Sequence, residues 1–198
     1  MQEIWDQLQQ TTWLEIIAMV TGLLFPIFAA YEKKICWLFG GISSLIYIYL
    51  MFIAQLYSDA ILNFYYVVMA FVGYLTWSGI IKVRKKEVKV SYANFRLLII
   101  VSLIAAVYSV VSGYIFLRYT NASYPFLDAT LTGFAFIATW LETRKKIENW
   151  YIFLVVDGLS IWLFWKKGYI LTAILFIIYC IICIYGIIQW HRKIKLSK

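Results

Sequence analysis

Residues 35–77, ICWLFGGISSLIYIYLMFIAQLYSDAILNFYYVVMAFVGYLTW, and residues 148–190, ENWYIFLVVDGLSIWLFWKKGYILTAILFIIYCIICIYGIIQW, are two versions of one pattern. Laid over each other at an offset of 113 residues without a gap, they pair Trp37 with Trp150, Ile48 with Ile161, Leu50 with Leu163, Tyr66 with Tyr179, Gly73 with Gly186 and Trp77 with Trp190. The run Ala60-Ile61-Leu62 meets Ala173-Ile174-Leu175 in the same register. Upstream, Leu14 and Lys33 match Leu127 and Lys146, and Glu15 falls opposite Asp128. Aliphatic matches arise by chance in an apolar chain. Tryptophans, a glycine and a tyrosine in one register do not, so the chain carries an internal repeat.

The repeat is built of membrane helices. The 198-residue chain is 64% apolar, 20% aromatic and 14% charged, which is not a soluble composition. Apolar runs fall at 14–31, 35–54, 59–81, 95–117, 126–141, 148–165 and 169–190, the fifth being the shortest. Two prolines and no period-2 alternation exclude a membrane β-barrel, so the class is all-α with seven transmembrane helices. Residues 14–81 form the first three-helix repeat, 95–117 a linker helix and 126–190 the second repeat; 191–198 are a basic tail. Residues 1–13, with Ile4, Trp5, Leu8 and Trp13 at helical spacing, read as an interfacial segment. Glu3 and Asp6 with no basic stretch do not make a cleavable signal, so the first span directs insertion. No length remains for a fused ATPase, kinase or dehydrogenase module.

One helix between the triplets makes both halves cross the bilayer in the same direction, a parallel repeat of the kind that holds a transported substrate between its halves near the midplane. The net charge of +8 belongs to the connections and does not point to nucleic acid. Fifteen Lys and Arg fall on one side and three on the other, which predicts a cytoplasmic C-terminus and an external N-terminus.

An ionisable group at membrane depth costs at least about 2.5 kcal/mol, so each needs a reason. Asp157 is the one deep carboxylate expected, and Trp150, Phe153 and Asp157 share a face of the sixth helix. Aromatic walls with an acid suit a flat cationic ring bearing hydroxyls. The alternative is a packing role, with Asp157 bonded to Ser44, its repeat mate, or to Tyr47. Asn63, Tyr65 and Tyr66 on the third helix and Tyr179 on the seventh offer further hydrogen-bonding groups at similar depth. Gly40, Gly41, Ser43 and Ser44 make a small-residue patch suited to close helix packing, and Ser44 also qualifies as a cavity residue.

Other features have plainer readings. Trp5, Trp13, Trp77, Trp165 and Trp190 near span ends are expected as interfacial anchors, and Asp59 and Asp128 as helix caps. Cys36, Cys180 and Cys183 are expected to be inert, and His191 to be a surface residue. No metal-ligand spacing, phosphate loop or nucleophile motif occurs, so neither a metal nor a cofactor is expected. Asp157 has no catalytic partner in the sequence, which argues against an intramembrane enzyme; a non-transporting membrane subunit would have no use for a midplane acid flanked by aromatics. Absence of a deep Lys or Arg disfavours a phosphorylated substrate.

From about residue 14 to 190 the chain resembles the PnuC family of bacterial vitamin transporters, relatives of the SWEET sugar carriers. The resemblance is carried by Trp37-Leu-Phe-Gly40-Gly-Ile-Ser43-Ser44-Leu-Ile-Tyr47, Leu56-Tyr57-Ser-Asp59-Ala60, Tyr65-Tyr66-Val-Val-Met, Gly73 and Trp77. The second half adds Arg144-Lys-Lys-Ile-Glu148-Asn149-Trp150, Val156-Asp157, Leu171-Thr172-Ala173, Gly186 and Trp190. The resemblance implies a bacterial inner-membrane carrier of nicotinamide riboside, or of thiamine in one branch, working by facilitated diffusion. A cytoplasmic kinase that phosphorylates the substrate would then be its partner; association with further copies of the chain is left open. Nicotinamide riboside carriers of the family are associated with a W-x-x-W pair at the start of the sixth helix, where this chain has Trp150-Tyr-Ile-Phe153.

Overall fold

The computed structural model describes residues 12–53, 57–82, 88–120 and 123–196, without the side chains of residues 57–59. Among these residues seven helices follow in order: α1 Trp13–Ala30, α2 Cys36–Ile53, α3 Tyr57–Trp77, α4 Phe95–Tyr119, α5 Pro125–Thr143, α6 Glu148–Lys166 and α7 Ile170–Leu196. Adding 113 to the bounds of α1, α2 and α3 reproduces those of α5, α6 and the start of α7 to within one residue. The helix α3 stops at Trp77, short of the expected 81, because Gly79 turns with φ +76° and Ile80 N–H donates back to Leu75 O at 3.0 Å. At the other extreme α7 runs to Leu196 through most of the expected basic tail. The expectation that the fifth span is the shortest is corrected, since α5 has 19 residues against 18 in α1 and α2. Residues 1–11, which include Trp5 and most of the expected interfacial segment, lie outside the described residues.

Local chemistry starts and stops these helices. Thr12 and Glu15 close a capping box on α1, Asn94 accepts from Arg96 N–H at the start of α4, and Pro125 opens α5, where a missing N–H is harmless. The turns after α1 and α5 are copies. Glu32 and Lys145, repeat mates, both take left-handed backbone, with φ +55° and +49°. Glu32 N–H donates to Ala29 O and Lys145 N–H to Glu142 O, both at 2.9 Å.

The helices close into a ring in the order α1, α2, α3, α5, α6, α7, with α7 packed on α1; α4 packs on α5 alone. This order maps onto itself when the repeats are exchanged, so a pseudo-two-fold axis runs through the ring. Equivalent residues can meet only across that axis. Lys145 Nζ and Glu32 Oε2 do so at 3.1 Å, and the Trp77 and Trp190 rings at 6.2 Å. Among the described residues five helices (α1, α2, α3 from Ala60, α4 and α7) are long and apolar enough to cross a membrane by themselves. Of the other two, α5 has less lipid to face: it is flanked by α3, α4 and α6 and carries nine buried residues, including Thr139, Glu142 and Thr143.

The connection after α3 breaks the symmetry. Ser91 exchanges backbone hydrogen bonds with Lys145 and Ile147, Ala93 N–H donates to both carboxylate oxygens of Glu148 at 2.9 Å, and Lys146 Nζ donates to Ser91 Oγ. The Tyr92 and Tyr151 hydroxyls reach the two ring nitrogens of His191 at 2.9 and 2.7 Å, so His191 is a tie between elements more than a free surface group. These contacts gather the turns after α1 and α5, the 88–94 segment and the end of α7 at one end of the ring, which we call the basic end.

Candidate functional site

Two layers of side chains fill the ring. Nearest the basic end is an aromatic layer in which each half makes the same knot. Gly73 lets the Trp37 ring lie where a Cβ would come within 2.2 Å of Trp37 Cε2, and Gly186 does the same for Trp150, at 2.6 Å from Cδ2. Trp37 meets Trp77 edge-on at 5.6 Å, and Trp150 meets Trp190 edge-on at 5.5 Å. Trp77 Nε1–H donates to Glu142 O at 3.2 Å, and Trp190 Nε1–H to Ala29 O, the repeat mate of that carbonyl, at 3.3 Å. The expectation that Trp77 and Trp190 anchor the interface is therefore corrected: Trp190 is fully buried and Trp77 packs inside the ring, whereas Trp13 and Trp165 are exposed. Trp150 itself is 1% exposed and seated in this knot.

Deeper in, the candidate residues come together from several helices. Asp157 on α6 is buried, and its Oδ2 accepts from Cys183 Sγ on α7 at 3.6 Å; no bond to Ser44 or Tyr47 is formed. Tyr66 on α3 and Tyr179 on α7, repeat mates, both lie within electrostatic reach of Asp157, and Tyr179 also within reach of Tyr47 on α2. Because α3 does not pack against α6, the Asp157 to Tyr66 interaction crosses the lumen of the ring. Phe153 bridges the two hydrophobic clusters, one turn from Asp157. Ser44 is buried on α2, while its neighbour Ser43 donates to Ala18 O at 2.8 Å and Gly40 lies under the Phe25 ring, as close packing requires. Asn63 is half-buried on α3, three residues before Tyr66. Tyr65 turns to the neighbouring half, donating to Phe136 O at 2.9 Å.

Some features of the site were not foreseen. Asp128 does not cap α5, whose N-cap is Tyr124; its two oxygens accept from Lys167 Nζ, both at 2.9 Å. The side chain of Asp59 lies outside the described ones. Asp157 is not the sole buried carboxylate, since Glu142 in the last turn of α5 is 1% exposed. In sequence Glu142 sits beside Arg144-Lys-Lys and reads as part of a loop; the 113-residue register, which lays it on Ala29, was the available clue. Cys183, the hydrogen-bond partner of Asp157, carries no sequence signal beyond being a cysteine in an apolar run.

Two cavities flank the Glu32 to Lys145 pair at the basic end. One of about 160 Å³ is lined by Ala30, Tyr31, Glu32, Gln189, Trp190 and Lys193, and one of about 150 Å³ by Thr76, Trp77, Ser78, Gly79, Val88 and Lys145. They are repeat copies, with Thr76 answering Gln189 and Trp77 answering Trp190. Each is smaller than the roughly 300 Å³ of an ordinary small-molecule site, and no candidate residue lines either.

Comparison with known proteins agrees with this architecture. The chain is 29% identical over 196 residues to the nicotinamide riboside transporter PnuC of Neisseria mucosa, covering 93% of this chain and 74% of that one. It is 23% identical over 187 residues to the riboflavin/roseoflavin transporter RibM of Streptomyces davaonensis, covering 93% and 87%. The crystal structure of the vitamin B3 transporter PnuC superposes with a TM-score of 0.75 at 27% identity, covering 98% of this chain and 87% of that one. Residues 12–192 match the family described as nicotinamide mononucleotide transporter, and the chain therefore belongs to that family as a multi-pass inner-membrane transporter.

Proposed function

We propose that this transporter carries nicotinamide riboside, bound in the lumen between the two repeats and released by their rocking about the pseudo-two-fold axis. The observation that carries the reading is the buried Asp157, within electrostatic reach of Tyr179 on the neighbouring helix of its own half and of Tyr66, that tyrosine's repeat mate, across the lumen. A group held by both halves at once is what alternating access needs. Asp157 supplies the acid for a cationic ring or ribose hydroxyls. Tyr47, Tyr66, Tyr179, Ser44 and Asn63 supply hydrogen-bonding groups, and Phe153 an apolar wall. Trp150 sits at the edge of this set, its ring face engaged with Gly186, so its share of binding is an indirect one.

The substrate named for the Neisseria relative supports the choice of vitamin. Phosphate is disfavoured because neither Lys nor Arg is among the buried described residues. Positive charge concentrated at the basic end supports its placement in the cytoplasm, with the N-terminus outside. Transport is then downhill, and a cytoplasmic kinase acting on the released nucleoside makes it one-way.

The test is a binding panel on purified protein, read by tryptophan fluorescence and calorimetry, with nicotinamide riboside, thiamine, riboflavin and nicotinamide mononucleotide. Nicotinamide riboside should bind most tightly; preference for thiamine or riboflavin would redirect the assignment within the family. Cysteine labelling should find residues 88–94 and the C-terminus on the cytoplasmic side, and residues 1–12 outside.

A further inference from the structure

Glu142 is a buried acid for which the fold has no use. It is 1% exposed, and its Oε2 has no hydrogen-bond partner. Among the described residues neither it nor Asp157 forms an ion pair; Lys145, in the adjoining turn, is bound to Glu32 and lies over the Trp77 ring. The carboxyl acts electrostatically on Cys36 of α2 and Cys183 of α7, two helices against which α5 does not pack, so it points into the lumen. Cys183 also donates to the Asp157 carboxyl at 3.6 Å, so one thiol on α7 lies within reach of both acids. Just past the intervening loop, at the second position of α6, Asn149 is fully buried with both Oδ1 and Nδ2 unpartnered.

The other half rules out a purely structural reason. At the positions equivalent to Glu142 and Asn149 it has Ala29 and Cys36, equally buried, in the same knot of turn and tryptophans. A backbone that holds Ala and Cys needs neither an acid nor an amide. A carboxylate left without a counter-charge in a low-dielectric interior is strongly disfavoured, and a ligand cation removes that penalty.

We infer that Glu142, with Asn149, is a second substrate station on the basic-end side of Asp157, and that the two acids make the carrier selective for a cationic substrate over an uncharged one of the same shape. This rests on the reading of the lumen given above and adds to it the residue that reads charge. Asn149 supplies a donor and an acceptor for a polar substituent such as a carboxamide.

The experiment compares nicotinamide riboside with its reduced dihydro form, which has nearly the same outline without the ring charge. Affinities are measured by calorimetry on detergent-purified wild type, Glu142→Gln and Glu142→Ala, the last being the residue the first half already accommodates. Wild type should prefer the cation at least tenfold, and both variants should lower that ratio to threefold or less by weakening only the cation. Equal wild-type affinity for the two forms overturns the inference and leaves the riboside assignment intact. A variant that keeps the wild-type ratio, or weakens both forms equally, overturns it as well. Wild type that binds neither form while binding another vitamin of the panel removes the riboside assignment, and this inference with it.

Discussion

The two halves agree wherever the backbone depends on a side chain and differ wherever it does not. Trp37 on Gly73 and Trp150 on Gly186, Trp77 to the Glu142 carbonyl and Trp190 to the Ala29 carbonyl, and the left-handed residues Glu32 and Lys145 are the same device made twice. Ala29, Cys36 and Ser44 in the first half are answered by Glu142, Asn149 and Asp157 in the second, all six buried. Apart from the lumen tyrosines Tyr66 and Tyr179, the duplicated positions are scaffold. Among the described residues, the divergent ones place the buried acids and amide, Glu142, Asp157 and Asn149, in α5 and α6, the helices that α4 and the 88–94 segment contact. On the proposed reading the second half carries the acids, and the first supplies a packing counterpart with a few hydroxyls.

The most severe test of that division is Trp37→Ala beside Trp150→Ala. If both rings are scaffold, each should lose about 3–5 kcal/mol of stability, read as matched falls in melting temperature in detergent. A Trp150→Ala protein that melts like wild type yet loses the substrate would break the comparison and make the ring a ligand. Next in size are the glycines: Gly73→Ala should cost about 3 kcal/mol, the upper end for overpacking, and more than Gly186→Ala, because its Cβ would meet the indole at 2.2 Å instead of 2.6 Å.

Asp157→Asn should weaken riboside binding by about 2 kcal/mol, a charged hydrogen bond's worth, while Ser44→Ala at the mate position should cost under about 1 kcal/mol. Equal losses would mean that the lumen reads both halves alike. Nicotinamide riboside should bind at least about tenfold, or 1.4 kcal/mol, more tightly than its monophosphate; equal affinity would point to a basic group entering the lumen in another state. The smallest effect is expected at the axis. Lys145→Met should cost about 1 kcal/mol or less, because Glu32 keeps its pairing with Lys193. A much larger loss would show that the pair holds the basic end shut.

Much of this was legible before any coordinates. The register of Trp37 with Trp150 and Gly73 with Gly186 foretold the repeated helix order, although α3 ends earlier and α7 later than the apolar runs suggested. Asp157 was found because an acid in an unbroken apolar run is conspicuous. Glu142 was missed because it closes its helix beside three basic residues, where an acid looks solvated. Trp190 was misread for a related reason: its distance from the end of an apolar run suggested an interface, whereas α7 continues to Leu196 and carries it inside.

By itself the sequence determined the number of helices, their order and the symmetry relating them, because a bilayer requires every backbone N–H and C=O to be paired within its own segment and leaves only long apolar runs as solutions. It did not determine which side of each helix faces the lumen. Helices α6 and α7 are apolar nearly all round, so no polar stripe marks an inner face. Only the closing of the ring, with α7 on α1 and α3 on α5, turned Glu142, Asp157 and the repeat-mate tyrosines inward and brought Glu32 to Lys145 across the axis.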